Sequence, residues 1–374
     1  MDKLQVTEIR LQEIAMPLKS AFETSFGITT TRRVLIVRAS DGNGFRGYGE
    51  CTAMDRPFYN HETVDSAWMV ICRIIVPLLK QAGVSSAEEV GDSLRAIQGN
   101  RMAVGAVETA VWDLESMELD SPLWEHLGGD REEIDCGVSI GLQASTEVLV
   151  EKVACEIASG YQRIKIKIKP GQDVQLVEAV RREFPDITLS VDANAAYSLE
   201  RDFELLKELD NYGLLMIEQP LASGALLGHS KLQARLDTPV CLDESITSFE
   251  DARQAIEMDA CRIINVKLGR VGGHVSARRI QEFGASKGIP VWCGGMLETG
   301  IGRAHNIAMS TLRGFTLPGD VSASSRYWET DITDPLVEVS PEGTIAVPSG
   351  SGIGYSVKEE VMDAITVRSE TLSL

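Results

Sequence analysis

Basic residues are scarce in this chain: 36 Lys and Arg stand against 55 Asp and Glu over 374 residues, a net charge of −19. Displacing the counterions of a phosphate backbone takes clustered Lys and Arg, so nucleic acid is excluded as a partner class. Long apolar runs are also missing, and nothing approaches the roughly 18 consecutive apolar residues of a membrane span. Residues 1–8 alternate charged and apolar side chains and do not read as a signal peptide. The seven cysteines (51, 72, 136, 155, 241, 261 and 293) are odd in number, scattered and without a Cys-x-x-Cys, which fits buried thiols of a reducing cytosol rather than disulfides or a zinc site. The five histidines form no His-x-x-x-His pair, so any metal falls to carboxylates. What is present, 44% hydrophobic and 24% charged residues, is the composition of a folded globular protein. The length suits two domains, or one large barrel with an appendage.

The first third reads as α+β. Alternating runs at 6–16 and 33–39 predict strands, and Asp41-Gly-Asn-Gly44 predicts a hairpin turn. Helical patterns follow at 63–79, 86–97 and 102–119, with Trp68 and Trp112 assigned to the core. From about Asp135 short aliphatic strands alternate with amphipathic helices. Val174, Val177, Val180 and Phe184 share one face of such a helix, and Pro185 closes it. Ser248 with Asp251 three residues on resembles a capping box, with Asp in place of Glu.

Lys167, Asp192, Glu218, Asp243, Lys267 and Trp292 stand at successive strand ends, at intervals of 25, 26, 25, 24 and 25 residues. That is one βα unit per interval. An earlier strand at 134–142 and a later one at 314–318 complete the eight of a (β/α) barrel. Residues of one parity, such as Ile164/Ile166 and Val240/Leu242, are aliphatic and face the helices. Those of the other, Lys165/Lys167, Ser190/Asp192, Glu218, Cys241/Asp243 and Asn265/Lys267, point into the barrel. From about Val321 the chain becomes turn-rich and leaves the barrel.

Ionised groups aimed into a barrel need mutual compensation or a purpose. Asp192, Glu218 and Asp243 from three adjacent strands form a hard oxygen set that suits Mg²⁺, with Mn²⁺ as substitute. Lys167 on the second strand and Lys267 on the sixth are diametrically opposite in a ring of eight. A substrate carboxylate held between them invites removal of its α-proton, the metal neutralising an enediolate. A lysine base needs its usual pKa of about 10.4 lowered, and the metal and Lys165 are the charges in reach. Three lysines and a divalent cation against three carboxylates make a cationic pocket in an acidic protein. Two glycine-rich stretches carry less: 269–273 lacks the Gly-Lys-Ser/Thr ending of a P-loop and reads as a turn, and 350–354 opens no βαβ unit.

Lys165-Ile-Lys167, Val191-Asp192-Ala-Asn194, Ile217-Glu218-Gln-Pro220, Leu242-Asp243-Glu244-Ser245 and Asn265-Val-Lys267 resemble the enolase superfamily, muconate-lactonizing subgroup. Gly269-Arg270-Val-Gly-Gly273, the stretch 292–300 and the stretch 318–327 are similar to its o-succinylbenzoate synthase / N-acylamino acid racemase family. The resemblance implies an α/β fold: a modified (β/α)8-type, (β/α)7β, barrel over residues 130–320, with an α+β capping domain from residues 1–129 and the segment 321–374 returning to it. It implies Mg²⁺ on Asp192, Glu218 and Asp243, Lys167 as base and then acid, and Lys267 as charge stabiliser or second acid/base. Lys165, Asn194, Glu244 and Arg270 would act electrostatically behind them, Arg270 tuning Lys267 or capping a turn. Substrate contacts would come from Ser25, Phe26, Met54, Tyr59, Gly295, Met296, Glu298, Ser322 and Ser324. The activity implied is o-succinylbenzoate synthesis for menaquinone, or racemisation of N-acylamino acids by the same lysines, in a cytoplasmic homo-oligomer acting on small carboxylates or dicarboxylates. A seventh-strand His of mandelate racemase type is absent, and so is the Asp-x-Asp of dipeptide epimerases after the eighth strand, where Asp320 precedes Val-Ser-Ala-Ser. A non-catalytic carboxylate-binding barrel is the reading from another class.

Overall fold

The computed structural model describes residues 4–24 and 27–374. Strands Glu8–Thr24, Gly27–Ser40 and Arg46–Cys51 form an antiparallel sheet, and the C-terminal strand Thr366–Ser373 pairs along the outer edge of the first. The hairpin turn forms as read, because the Asp41 carboxylate accepts the Asn43, Gly44 and Phe45 N–H groups at 3.0, 2.8 and 2.7 Å. Helix Arg101–Glu118 is buried on nearly every side between this sheet and the barrel. Its backbone comes so close that a Cβ on Gly47 would lie 2.1 Å from Leu114 N. The helix expected at 63–79 runs Val64–Val70 and Val76–Ala82 with a wider π-helical turn at Ile71–Ile75 between them.

Seven parallel strands follow in sequence order: Gly137–Ile140, Arg163–Lys167, Thr188–Asp192, Ile217–Glu218, Val240–Leu242, Ile263–Val266 and Val291–Cys293. The strand expected at 134–142 divides at Cys136. Glu133–Asp135 pairs antiparallel with Thr344–Ala346, and only the second part enters the barrel. In the eighth position residues 315–319 form no continuous strand, since Pro318 has no N–H to give a ladder. They close the ring through single bridges, Phe315 to Val291 and Gly319 to Cys136.

The parity reading holds. Ile164, Ile166, Leu189, Val191, Val240, Leu242, Ile264 and Val266 lie in the core under the helices. Met216, Cys241, Ile263 and Trp292 form a separate apolar floor inside the barrel. Trp292 therefore belongs below the mouth, with the Arg163 guanidinium 4.5 Å and the Lys165 ammonium 4.7 Å from its ring. Val177 and Val180 are buried on their helix as expected. Ser248 caps its helix, but the Asp251 carboxylate accepts the Thr247 N–H at 3.0 Å rather than that of Ser248. Trp112 is core, whereas Trp68 is only half-buried with Arg368 over its ring. All seven cysteines are free; Cys155 is exposed and Cys72 partly so, because each sits on the outer side of its helix.

Candidate active site

Strand register assembles the site. Lys167 stands beside Asp192 and Asp192 beside Glu218 on neighbouring strands, all pointing inward, while Asp243 follows the end of the next. One oxygen from each of Asp192, Glu218 and Asp243 lies within 4.8 Å of the others, and all three side chains are buried. Three ionised carboxylates this close and this dry demand cations. Hard oxygens in such a set fit a divalent metal.

The lysines divide around the triad. Lys167 Nζ donates to Asp192 Oδ2 at 2.6 Å and Asn194 Oδ1 at 2.7 Å. On the far side Lys267 Nζ donates to Asp243 Oδ2 at 2.8 Å and to the Tyr59 hydroxyl at 3.2 Å. Lys165 Nζ sits deeper, 2.7 Å from Glu218 Oε2, 3.5 Å from Asp192 Oδ2 and 3.4 Å from Asp320 Oδ2. Burial works against the charge of Asp192, but Lys167 and Lys165 outweigh it and hold this carboxyl well below the usual range. Burial likewise opposes the charge on Lys165, and Glu218, Asp320 and Asp192 overcome it, so this lysine rests above its ordinary value. Lys267 behaves the same way, with Tyr59, Glu244 and Glu218 as its partners. The expectation that Lys165 presents a free positive charge to Lys167 is thus incomplete, because three carboxylates already answer that charge.

Arg270 reaches Asp243 and Tyr59, the two groups that Lys267 Nζ also bonds. Its guanidinium also holds the Ile246 and Asn265 carbonyls. Burial and then nearby Asp192 push the Glu244 carboxyl up, while Asn194 Nδ2 donates to it at 2.9 Å. Backbone strain collects here as well: Asn194, two residues past Asp192, and Gln219, one past Glu218, have φ of 42° and 37°.

Two residues that sequence reasoning passed over are integral. Gln219 is fully buried; its Oε1 accepts the Asp243 N–H and the Ser245 N–H, and its Nε2 donates to Ser245 Oγ. Asp320, at the eighth strand position, accepts from Ser139 Oγ and faces Lys165. The interval rule that found the other strand ends points to it, 28 residues past Trp292. With Asp320 and Glu244 included, the site is less cationic than lysines and triad alone suggest.

Above these groups a cavity opens under the cap. Met54, Tyr59, Gly295, Met296, Glu298 and Ser322 line it, together with Phe22, Thr24 and Thr29 of the cap strands. Glu298 is partly committed, accepting the Met296 N–H and Asn306 Nδ2. Ser25 and Phe26 lie outside the described residues. Ser324 does not reach the cavity: its hydroxyl is spent on Asp331 at 2.6 Å.

Residues 6–128 match the family model described as the mandelate racemase / muconate lactonizing enzyme N-terminal domain, and residues 149–361 match the enolase C-terminal domain-like model. The chain belongs to the enolase superfamily. Within that superfamily it is 48% identical to the o-succinylbenzoate synthase of Geobacillus kaustophilus, over 97% of this chain and 96% of that one. It is 44% identical to the N-succinylamino acid racemase of Thermus thermophilus, over 99% of both chains. A crystal structure of an enolase superfamily member from Listeria innocua superposes with a TM-score of 0.95 at 43% identity, covering 99% of each chain. Superfamily membership agrees with the acidic triad as a divalent-metal site.

Proposed function

We propose that this protein is a Mg²⁺-dependent o-succinylbenzoate synthase, serving menaquinone biosynthesis. The observation that carries the reading is the placement of Lys167 and Lys267 on opposite sides of a buried carboxylate triad, in a chain 48% identical to a synthase of that name. Asp192, Glu218 and Asp243 would hold the metal, which when bound supplies positive charge to the substrate carboxylate as negative charge develops on it. Lys167 takes the proton α to that carboxylate, breaking the C–H bond. Lys267, opposite, stabilises the resulting enediolate by its charge. The C–O bond to the ring hydroxyl then breaks, Lys167 returns its proton to the leaving oxygen on the same face, and water departs from an aromatised ring. Asn194 and Asp192 orient Lys167 Nζ, which takes the proton as the neutral amine, and Tyr59 and Asp243 orient the Lys267 ammonium.

Racemisation of N-succinylamino acids is the second reading, favoured by the same opposed lysines and by the racemase relative at 44% identity. There each lysine serves one face of the α-carbon. Both readings place the enzyme in the cytoplasm as a homo-oligomer acting on small carboxylates, with residues 1–129 and 321–374 as cap and 130–320 as barrel. Purified protein with Mg²⁺, given the hydroxycyclohexadiene precursor and a panel of N-succinylamino acids in D2O, tests them. Fast dehydration supports the first; negligible dehydration with rapid α-deuterium exchange replaces it by the second. Absence of both leaves a carboxylate-binding barrel.

A further inference from the structure

Two polar side chains on the cavity wall each carry a buried atom with no hydrogen-bond partner among the described residues. Arg303, in the first turns of helix Gly300–Ser310, is 2% exposed and lines the cavity. Its Nη1 is buried without a hydrogen-bond partner among the described residues. Ser322, also 2% exposed and lining the cavity, has its hydroxyl buried in the same condition. Leaving buried donors unmade is costly, and native structures keep such groups for a reason.

The acid nearest Arg303 does not satisfy it. Asp331 Oδ2 stands 3.7 Å from Nη1, beyond a hydrogen bond, and its oxygens already accept from Gly300 N, Ile332 N and Ser324 Oγ. The Tyr327 ring lies 5.2 Å from the guanidinium carbon and holds the group in place. The result is a fixed cation with an unspent Nη1 on the wall of the same cavity as an unspent hydroxyl, the chemistry that recognises a carboxylate.

Topology says which carboxylate. Arg303 follows the seventh strand and Ser322 the eighth position, whereas Asp192 and Glu218 end the third and fourth. In a ring of eight, the seventh lies opposite the third and the eighth opposite the fourth. Phe22, Met54, Met296 and Leu297 supply apolar surface in the same cavity. We infer that Arg303 and Ser322 form a subsite for a second, distal carboxylate of the substrate, across the barrel mouth from the carboxylate triad. This deepens the proposed function, on which it rests: the distal carboxylate of a succinyl chain is common to both readings.

The test compares 2-succinylbenzoate with 2-butyrylbenzoate, in which a methyl group replaces the distal carboxylate, by calorimetric titration of the Mg²⁺-loaded protein. Wild type is expected to favour the succinyl compound by about 100-fold, the range of a charged hydrogen-bonded pair. Arg303→Met should reduce that preference to about 5-fold or less, and Ser322→Ala should reduce it by several-fold. A wild type that binds both ligands alike, an Arg303→Met protein that keeps the full preference, or one that loses both ligands equally would each overturn the subsite. Should Arg303→Met not fold, the wild-type ratio and Ser322→Ala decide. Failure of the proposed function reads out separately, as wild-type protein that neither dehydrates the hydroxycyclohexadiene precursor nor exchanges the α-proton of N-succinylphenylglycine for deuterium.

Discussion

The side-chain oxygen of Gln219 accepts the backbone N–H of Asp243 at 2.9 Å, tying the loop after one triad strand to the loop after the next. The same oxygen takes the Ser245 N–H, and the amide nitrogen reaches Ser245 Oγ and Leu221 O, so every polar atom of a fully buried side chain is spent on this brace. Gln219 pays for its position with a φ of 37°. Gln219→Ala should leave Asp243 free to drift and lower divalent-metal affinity about 10- to 100-fold, as loss of an outer-shell orienting bond does. Calorimetric titration with Mn²⁺ measures this. An unchanged affinity in a folded variant would reduce the brace to a local packing detail.

Lys167 and the triad are separable in function. On the proposed mechanism Lys167→Ala removes the proton carrier but none of the three carboxylates, so α-proton exchange should fall by about 100- to 10,000-fold while metal still binds. Exchange followed by NMR in D2O, beside a metal titration of the same protein, distinguishes the two. Metal affinity lost together with exchange would show that Lys167 chiefly holds Asp192 in place.

Much of this site was legible because one rule generated it. Strand ends about 25 residues apart, with inward parity, located Lys167, Asp192, Glu218, Asp243 and Lys267, and the register of neighbouring strands brings them together. The rule weakened where geometry departs from it. Trp292 obeys the interval yet lies in the barrel floor, and Asp320 arrives late because residues 315–319 close the ring without a regular ladder. Gln219 was invisible for another reason: its role depends on a buried amide finding two backbone N–H groups across a loop, which no spacing records. Ser324 misled by proximity to Ser322, since only the local turn decides which hydroxyl meets the cavity and which meets Asp331.

Lys165 carries a structural prediction. It is buried against Glu218, Asp192 and Asp320, and no other lysine bonds Glu218 among the described residues. Lys165→Met removes the cation and leaves the carboxylates uncompensated in a dry site, which costs about 3–5 kcal/mol for a buried pair broken on one side. Urea unfolding in the absence of metal should show that loss, and added Mg²⁺ should recover part of it by binding only the native state. Equal stability of wild type and variant without metal would mean that the carboxylates take up protons at little cost.

Glu108 offers a pH test away from the chemistry. From the helix Arg101–Glu118 it accepts the His274 and Val275 N–H groups at the start of the helix His274–Ser286, and Trp112 Nε1 as well. The fit is tight enough that a Cβ on Gly273 would come within 2.1 Å of its carboxylate. Burial raises its pKa to about 8 from an ordinary 4.5, against the pull of those donors. A carboxyl raised on folding keeps a proton that the unfolded chain has released, so its contribution is intact below about 4.5 and is lost as pH climbs to about 8. His274 and His305, pushed down by burial, act in the opposite sense only below about 6.5, which leaves the interval from 6.5 to 8 clear of them. Asp113 and Glu50, raised to about 7, slope the same way as Glu108 but are common to both proteins and cancel in the comparison. Between pH 6.5 and 8, wild type should therefore lose about 2 kcal/mol more stability than Glu108→Gln. Urea midpoints across that interval decide it, and parallel profiles would show that the three N–H donors keep Glu108 ionised in spite of its burial.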